Sequence, residues 1–346
     1  MTGRALLTCF GYVALLALLA VGADRLIASR VFQSPGELVP AYRAFQEPSV
    51  SVKLHDLEQA SGTFDTLVLG NSRTLFGVRP DIVDRVLADR GIAQRSFNLA
   101  MPTVDVRFWP RFMRDYYDRP APKRLLLGVI PRDLDARNVQ AVTQMNAFFA
   151  SSGFDNRDRS AAWRGAEEWR SRIFTMHGRF NEVRRAGIGG LLRGDGLAPP
   201  QIRVSERGWG QFAPGVAPSK RELAEQARRL AVRSGSLRLA VGDEQIGALR
   251  QLDRWIRARG GCLTLFTVPV LYDREPWGTV EVRRAFERTM RAFVRANPRV
   301  GYLDLGPRTE DEYGLADFGD GDHLDPSGAG RLSRQLADAL AEDPRC

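Results

Sequence analysis

Apolar and polar positions follow two rhythms along this chain. Short, largely apolar runs at residues 66–70, 124–130, 262–268 and 300–305, and the shorter Ser96-Phe97-Asn98-Leu99, predict buried strands. Between them, apolar residues recur every three to four positions near 79–90, 104–117, 245–259, 279–296 and 326–342, which predicts amphipathic helices. The punctuation agrees with that reading. Gly91 ends the first of these helices, and Pro131 stops the third strand because it offers no N–H to a ladder. Asp325 is placed to cap the last helix, with Pro326 at its first position. Strands alternating with helices predict a doubly wound α/β domain, a parallel sheet buried on both faces.

The rhythm breaks in two places. Residues 31–62 read as an extended, polar lead-out. Residues 135–243 read as a mostly helical insertion between the third and fourth strands, with helical patterning near 158–184 and 219–232. This stretch also holds a Gly-containing loop, Arg207-Gly208-Trp209-Gly210-Gln211-Phe212. The α/β domain proper covers 63–346, insertion included.

The first thirty residues follow a third pattern. From Ala5 to Ala23 there is no charge, and nineteen helical residues span roughly 28 Å, close to a bilayer core. Arg4 precedes the run, so the positive-inside tendency keeps the N-terminus cytoplasmic and exports the rest. Residues 1–30 are thus expected to be a transmembrane helix. Val21-Gly22-Ala23 also satisfies the small-residue rule for signal-peptide cleavage, so a cleaved signal is the alternative. Either way the expected location is the bacterial inner membrane, single-pass, with the folded domain in the periplasm.

Export changes the meaning of the charge. The chain has 346 residues, with 50 Lys and Arg against 41 Asp and Glu, a net +9. Removing residues 1–30 takes away three arginines and one aspartate and leaves +7. The arginines read as dispersed, with no clustered stripe and no base-reading motif, so nucleic acid is not an expected partner. A solvated basic surface is the simplest reading, with anionic lipid headgroups or acidic polysaccharide as candidate contacts. Three cysteines are too few for a disulfide scaffold. A bridge between Cys262 and Cys346 is an open pairing, and no catalytic cysteine is expected.

Candidate chemistry sits at two strand ends. Gly70-Asn71-Ser72-Arg73 follows the first strand directly, where ligands of parallel sheets bind. It is neither a G-x-S-x-G elbow, since Thr74 replaces the second glycine, nor a phosphate loop, since no G-K-[ST] follows. Asp320-Gly321-Asp322-His323 precedes the last helix. A serine hydroxyl needs a base, and the base needs an acid to hold its tautomer; Ser72, His323 and Asp320 supply these types. A cation site from Asp317, Asp320, Asp322 and Asp325 is the competing reading, and its spacing fails the EF-hand pattern. No cofactor or metal is expected. His55 and His177 read as packing or surface histidines.

These blocks, in this order, resemble the SGNH (GDSL-like) hydrolase superfamily, and more narrowly its membrane-anchored bacterial branch, which includes alginate O-acetylation and D-alanyl transfer proteins. Leu67-Val68-Leu69-Gly70-Asn71-Ser72-Arg73 resembles the nucleophile block, Asp320-Gly321-Asp322-His323 the D-x-x-H block, and Phe97-Asn98-Leu99-Ala100-Met101-Pro102 the segment after the second strand. The likeness covers about 63–134 and 245–342. It implies a three-layer α/β/α sandwich around a five-stranded parallel sheet. It also implies acyl transfer through a serine ester, with Ser72 attacking, His323 as general base and Asp320 orienting it. Two departures bear on the oxyanion site. Ala100 stands where the family has glycine, and Gly128-Val129-Ile130-Pro131-Arg132-Asp133 lacks the family's asparagine. Ser72 N–H is the first expected donor, with Asn98, Arg73 and Ala100 as candidates for the second.

The expected function is that of a membrane-tethered serine O-acyltransferase or esterase acting on a cell-surface glycan, with a membrane-embedded acyl donor protein as a second partner. The competing expectation is a non-catalytic glycan- or protein-binding domain that uses Trp163, Trp169 and Trp209 as platforms.

Overall fold

The computed structural model describes residues 3–31, 48–117, 119–151, 202–212, 222, 225, 238–271, 279–307, 312–343 and 345. The chain divides into two compact units, residues 1–55 with 148–201 and residues 56–147 with 202–346.

The first unit opens with α1 (Gly3–Val31), which contains the whole uncharged run. Tyr12, Leu15, Leu16, Leu18 and Leu19 are exposed on it. The part of α1 whose side chains are described is not by itself long and apolar enough to cross a membrane. α2 (Pro48–Gln59) corrects the extended reading of the lead-out. Val50, Leu54 and Leu57 recur at helical spacing there and are buried, a pattern hidden within a stretch that is polar on average. His55 is half-buried in this helix. Trp163, Trp169, His177, Cys346 and the helical patterning of 158–184 lie outside the described residues, as does most of 219–232.

The second unit is built on five parallel strands: β1 (Thr66–Leu69), β2 (Ser96–Asn98), β3 (Arg124–Val129), β6 (Cys262–Thr267) and β7 (Gly301–Leu303). All five lie within a residue or two of the expected apolar runs. Their order across the sheet is β2-β1-β3-β6-β7. Val68, Leu126 and Phe266 face a cluster formed with Val83 and Leu87 of α4 (Pro80–Asp89) and Leu332 and Leu336 of α9 (Pro326–Ala341). Their neighbours Leu67, Leu125, Leu127 and Leu265 are equally buried and point the other way, so both faces are covered. Each such leucine contributes roughly 1.5–3 kcal/mol by leaving water. α5 (Phe108–Asp115) packs on α7 (Asp243–Arg257), and α8 (Val280–Ala296) packs on β7.

Two expectations about the insertion change. Residues 202–212 form an antiparallel hairpin, β4 (Ile202–Val204) and β5 (Gly210–Phe212), rather than a loop in a helical segment. The hairpin belongs to the sheet unit, which α6 (Val139–Ser151) leaves at Ala147. Each of its strands is three residues long, too short to show a period of two. Cys262 is disulfide-bonded, and its partner sulfur lies outside the described side chains.

The strand order sets the place of the site. After β1 the chain steps outward to β2, then crosses back over β1 to β3. The connections leaving β1 and β3 therefore diverge, and the carboxyl ends of these two strands border a crevice.

Candidate active site

Ser72 is the first residue of α3 (Ser72–Gly77), directly after β1 and its glycine. Six residues are too few for a helix to persist alone, so α3 depends on what holds its ends. At its start, the Asn71 side-chain oxygen accepts the Arg73 N–H at 2.9 Å. At its end, Asn98 Nδ2 donates to the carbonyls of Thr74 (3.0 Å), Leu75 (3.2 Å) and Val78 (2.8 Å), and Trp209 Nε1 donates to that of Phe76 (2.8 Å). The Thr74 carbonyl also takes the Val78 N–H at 3.1 Å; the others have no donor within so short a helix, and a neighbouring strand and the hairpin supply one. Close approach to the sheet is the other requirement. A Cβ on Gly70 or on Gly128 of β3 would lie 2.2 Å from Thr74 Oγ1. Gly70 also has a φ of +146°, which only glycine adopts without strain.

His323 arrives from the far end of the chain. Phe318 and Leu324 form an antiparallel bridge, and Gly319 N–H donates to the His323 carbonyl at 2.8 Å, so residues 318–324 make a closed loop. Asp325 then caps α9, accepting from the N–H groups of Ser327 and Gly328. Within the loop, Asp320 Oδ1 accepts the backbone N–H of Asp322 (2.7 Å) and of His323 (2.6 Å), which fixes the carboxylate.

The two loops meet. His323 Nε2 lies 2.9 Å from Ser72 Oγ, and His323 Nδ1 lies 2.8 Å from Asp320 Oδ2 and 3.1 Å from Oδ1. With Nδ1–H donating to the carboxylate, Nε2 carries the lone pair and accepts the serine hydroxyl. That arrangement is able to take a proton from Ser72 and return it to a leaving group. A second tie crosses the same gap: the Arg73 guanidinium, nearly buried, donates to Asp322 Oδ1 at 3.1 Å. The four aspartates considered for a cation serve separate partners: Asp320 holds His323, Asp322 meets Arg73, Asp317 meets Arg331, and Asp325 caps α9.

The imidazole has an aromatic wall. The Phe76 ring lies 4.6 Å from it and the Phe212 ring of β5 lies 6.0 Å from it, with the two phenyl rings 4.6 Å apart. Phe212 fits against Gly319, where a Cβ would come within 2.8 Å of its ring.

The three candidates for the second oxyanion donor have other work. The amide hydrogens of Asn98 are taken up by the α3 carbonyls, and the Ala100 N–H donates to Asn98 Oδ1 at 3.0 Å. Arg73 turns toward Asp322. Ser72 N–H has no acceptor among the described residues. Trp209, weighed as an open platform, is buried with its indole N–H bonded to α3.

Sequence reasoning missed the brace under Ser72. Asn71 Nδ2 donates to both oxygens of Asp133, each at 2.9 Å, and Asp133 Oδ2 also accepts the Ile130 N–H at 3.0 Å. Asp133 is fully enclosed in the turn after β3, and burial pushes its carboxyl up to about 6, against the opposing pull of Arg132 and the Asn71 hydrogen bond. The only trace in the sequence was an aspartate where the third block lacks its asparagine. No protein-family model matches the chain, and no curated protein does.

Proposed function

We propose that this protein is an SGNH-like serine acyltransferase or esterase, tethered to the inner membrane by α1, whose three-layer domain acts on a cell-surface glycan in the periplasm. The observation that carries the reading is the unbroken relay from Ser72 Oγ through His323 to Asp320, assembled from loops 251 residues apart. Ser72 Oγ attacks the acyl carbonyl while its proton passes to His323 Nε2. The tetrahedral oxyanion faces the Ser72 N–H. Collapse expels the donor's oxygen, which takes the proton from His323 and leaves an acyl-serine. A sugar hydroxyl, or water, then gives its proton to His323, attacks the ester and releases Ser72.

The placement outside the cytoplasm is supported by the nineteen uncharged residues within α1 and by the disulfide at Cys262, a bond favoured in oxidising compartments. Transfer rather than hydrolysis is favoured by location, since a tether holds the site beside a membrane acyl donor and a growing polysaccharide.

The test is a full-length Ser72→Ala variant assayed on an acetyl ester. Turnover falls by at least about 10³-fold while the fold is retained. A serine-directed organophosphonate labels the parent at Ser72 alone. Unchanged turnover in the folded variant, or a label elsewhere, rejects the reading.

A further inference from the structure

Folding gathers arginines that the sequence scatters. On α8, Arg284, Arg288, Arg291 and Arg295 are exposed at steps of four, three and four residues, which places them on one stripe roughly 16 Å long. Arg299, just beyond the helix, extends it and is also exposed. The opposite side of α8, with Val282, Phe286, Met290 and Phe293, is buried against the domain. No ion pair engages these five arginines among the described residues.

The stripe has a parallel companion. The connections β3 to β6 and β6 to β7 step the same way along the sheet, so right-handed crossovers put α7 and α8 on the same face. α7 exposes Arg250 and Arg254, one turn apart and likewise without ion pairs. Asp253 on α7 is buried beneath Arg257 at 2.8 Å, and the charges of Arg254 and of Arg299, just past the end of α8, both act on it. Asp243, Glu244 and Glu281 sit in the first turns of the two helices; in the bodies, half-buried Glu287 and buried Asp253 stand against eight arginines, so the bodies stay basic. The opposite face differs. Around α4 and α9, Arg79, Arg90, Arg207 and Arg331 are each paired with an aspartate.

We propose that the α7–α8 face is a docking surface for an anionic lipid bilayer. The expectation that the arginines form no stripe is thus corrected: helical periodicity aligns residues that are three and four positions apart in sequence. The patch spans two helices and is broad, which suits a sheet of mobile headgroups better than one linear polymer. Bilayer lipids diffuse to meet fixed guanidiniums, each able to take a phosphate bidentately. The buried apolar side of α8 rules out insertion, so binding is peripheral and salt-sensitive. This surface is independent of the Ser72 chemistry.

The test is co-sedimentation of the full chain with vesicles of phosphatidylcholine alone or with one-third phosphatidylglycerol. Phosphatidylcholine sets the baseline that α1 provides. Phosphatidylglycerol raises binding about tenfold or more at 50 mM NaCl, and the gain vanishes by 300 mM. The variant Arg284→Gln/Arg288→Gln/Arg291→Gln/Arg295→Gln removes the gain and keeps the baseline, with an unchanged melting temperature because all four side chains are exposed. Arg85→Gln/Arg334→Gln, on the opposite face, keeps the gain. The proposal is overturned if the quadruple variant retains the gain, if the control loses it equally, or if a soluble acidic polysaccharide binds through the stripe while the two vesicles bind alike.

Discussion

Asn71 stands between Ser72 and Asp133, its Nδ2 at 2.9 Å from both carboxylate oxygens while its Oδ1 holds the Arg73 N–H. The pair ties the start of α3 to the turn after β3, across the point where the strand order reverses. Ser72 lies between the two anchored residues, so its hydroxyl direction follows from this brace. Replacing Asp133 by Leu removes every acceptor and leaves the buried Asn71 amide unsatisfied, at about 1–3 kcal/mol. The expected result is a fall in kcat on an acetyl ester of about tenfold or more with KM nearly unchanged. A proportional loss of folded protein with normal kcat per folded molecule contradicts it.

The same carboxyl sets a pH dependence of stability. Its folded value of about 6 lies above its unfolded value of 3.8, so the folded state binds the proton more tightly. Between those values the folded chain holds more protons than the unfolded one, and stability falls as pH rises through the window. The difference is on the order of 3 kcal/mol, fully felt above pH 6. Asp133→Asn abolishes that slope. Thermal melts between pH 4 and 7.5 compare the two proteins; parallel curves refute the assignment.

The strands and helices were legible because both faces of this sheet are buried, which writes β1 and β3 as unbroken apolar runs. Ser72 was legible because it directly follows a strand, and Asp320 with His323 because their close spacing just ahead of a capped helix is a local pattern. Asn71, Asp133 and Trp209 were not. Their partners lie 62, 62 and 133 residues away, and nothing local marks an asparagine as a brace or an indole as a helix stop. α2 was missed because three buried residues on a short helix are outvoted by their polar neighbours. The arginines of α8 were missed for a related reason: counting charge along a chain does not project it onto a helix face.

The contact of Thr74 with Gly70 and Gly128 makes a sharper test of packing. Gly128→Ala places a methyl 2.2 Å from Thr74 Oγ1 and 2.9 Å from Val268 Cγ2, and overpacking of this kind costs about 1–3 kcal/mol. Thr74→Ala relieves the nearer clash. Thr74→Ala is therefore expected to recover a large part of the loss in a double-mutant cycle, with coupling of about 1 kcal/mol. Strict additivity in denaturant melts shows that the wedge is not what fixes α3 on the sheet.

Arg73 and Asp322 join α3 to the histidine loop independently of the Ser72–His323 contact. Asp322 is 40% exposed, so solvent weakens the ion pair, and Asp322→Asn retains an acceptor. Asp322→Asn is expected to leave turnover within about threefold. Asp322→Leu removes the acceptor altogether and lowers turnover about tenfold. Equal losses in both variants point to charge at Asp322 rather than to its hold on Arg73.

Phe212 is the hairpin's contact with His323. Its ring and that of Phe76 cover one side of the imidazole, and on the proposed acyl-transfer reading that cover keeps water from the flank where an acceptor hydroxyl competes with it. Phe212→Ala opens that flank. Some stability is lost, about 2 kcal/mol for a partly buried ring. The informative quantity is product partition. With a sugar acceptor present, the parent yields mainly transfer, and the variant shifts several-fold toward free acid while organophosphonate still labels Ser72. Mass spectrometry of the products gives the ratio directly. An unchanged ratio at reduced rate means that the wall only orients His323, and that acceptor choice is made elsewhere on the rim.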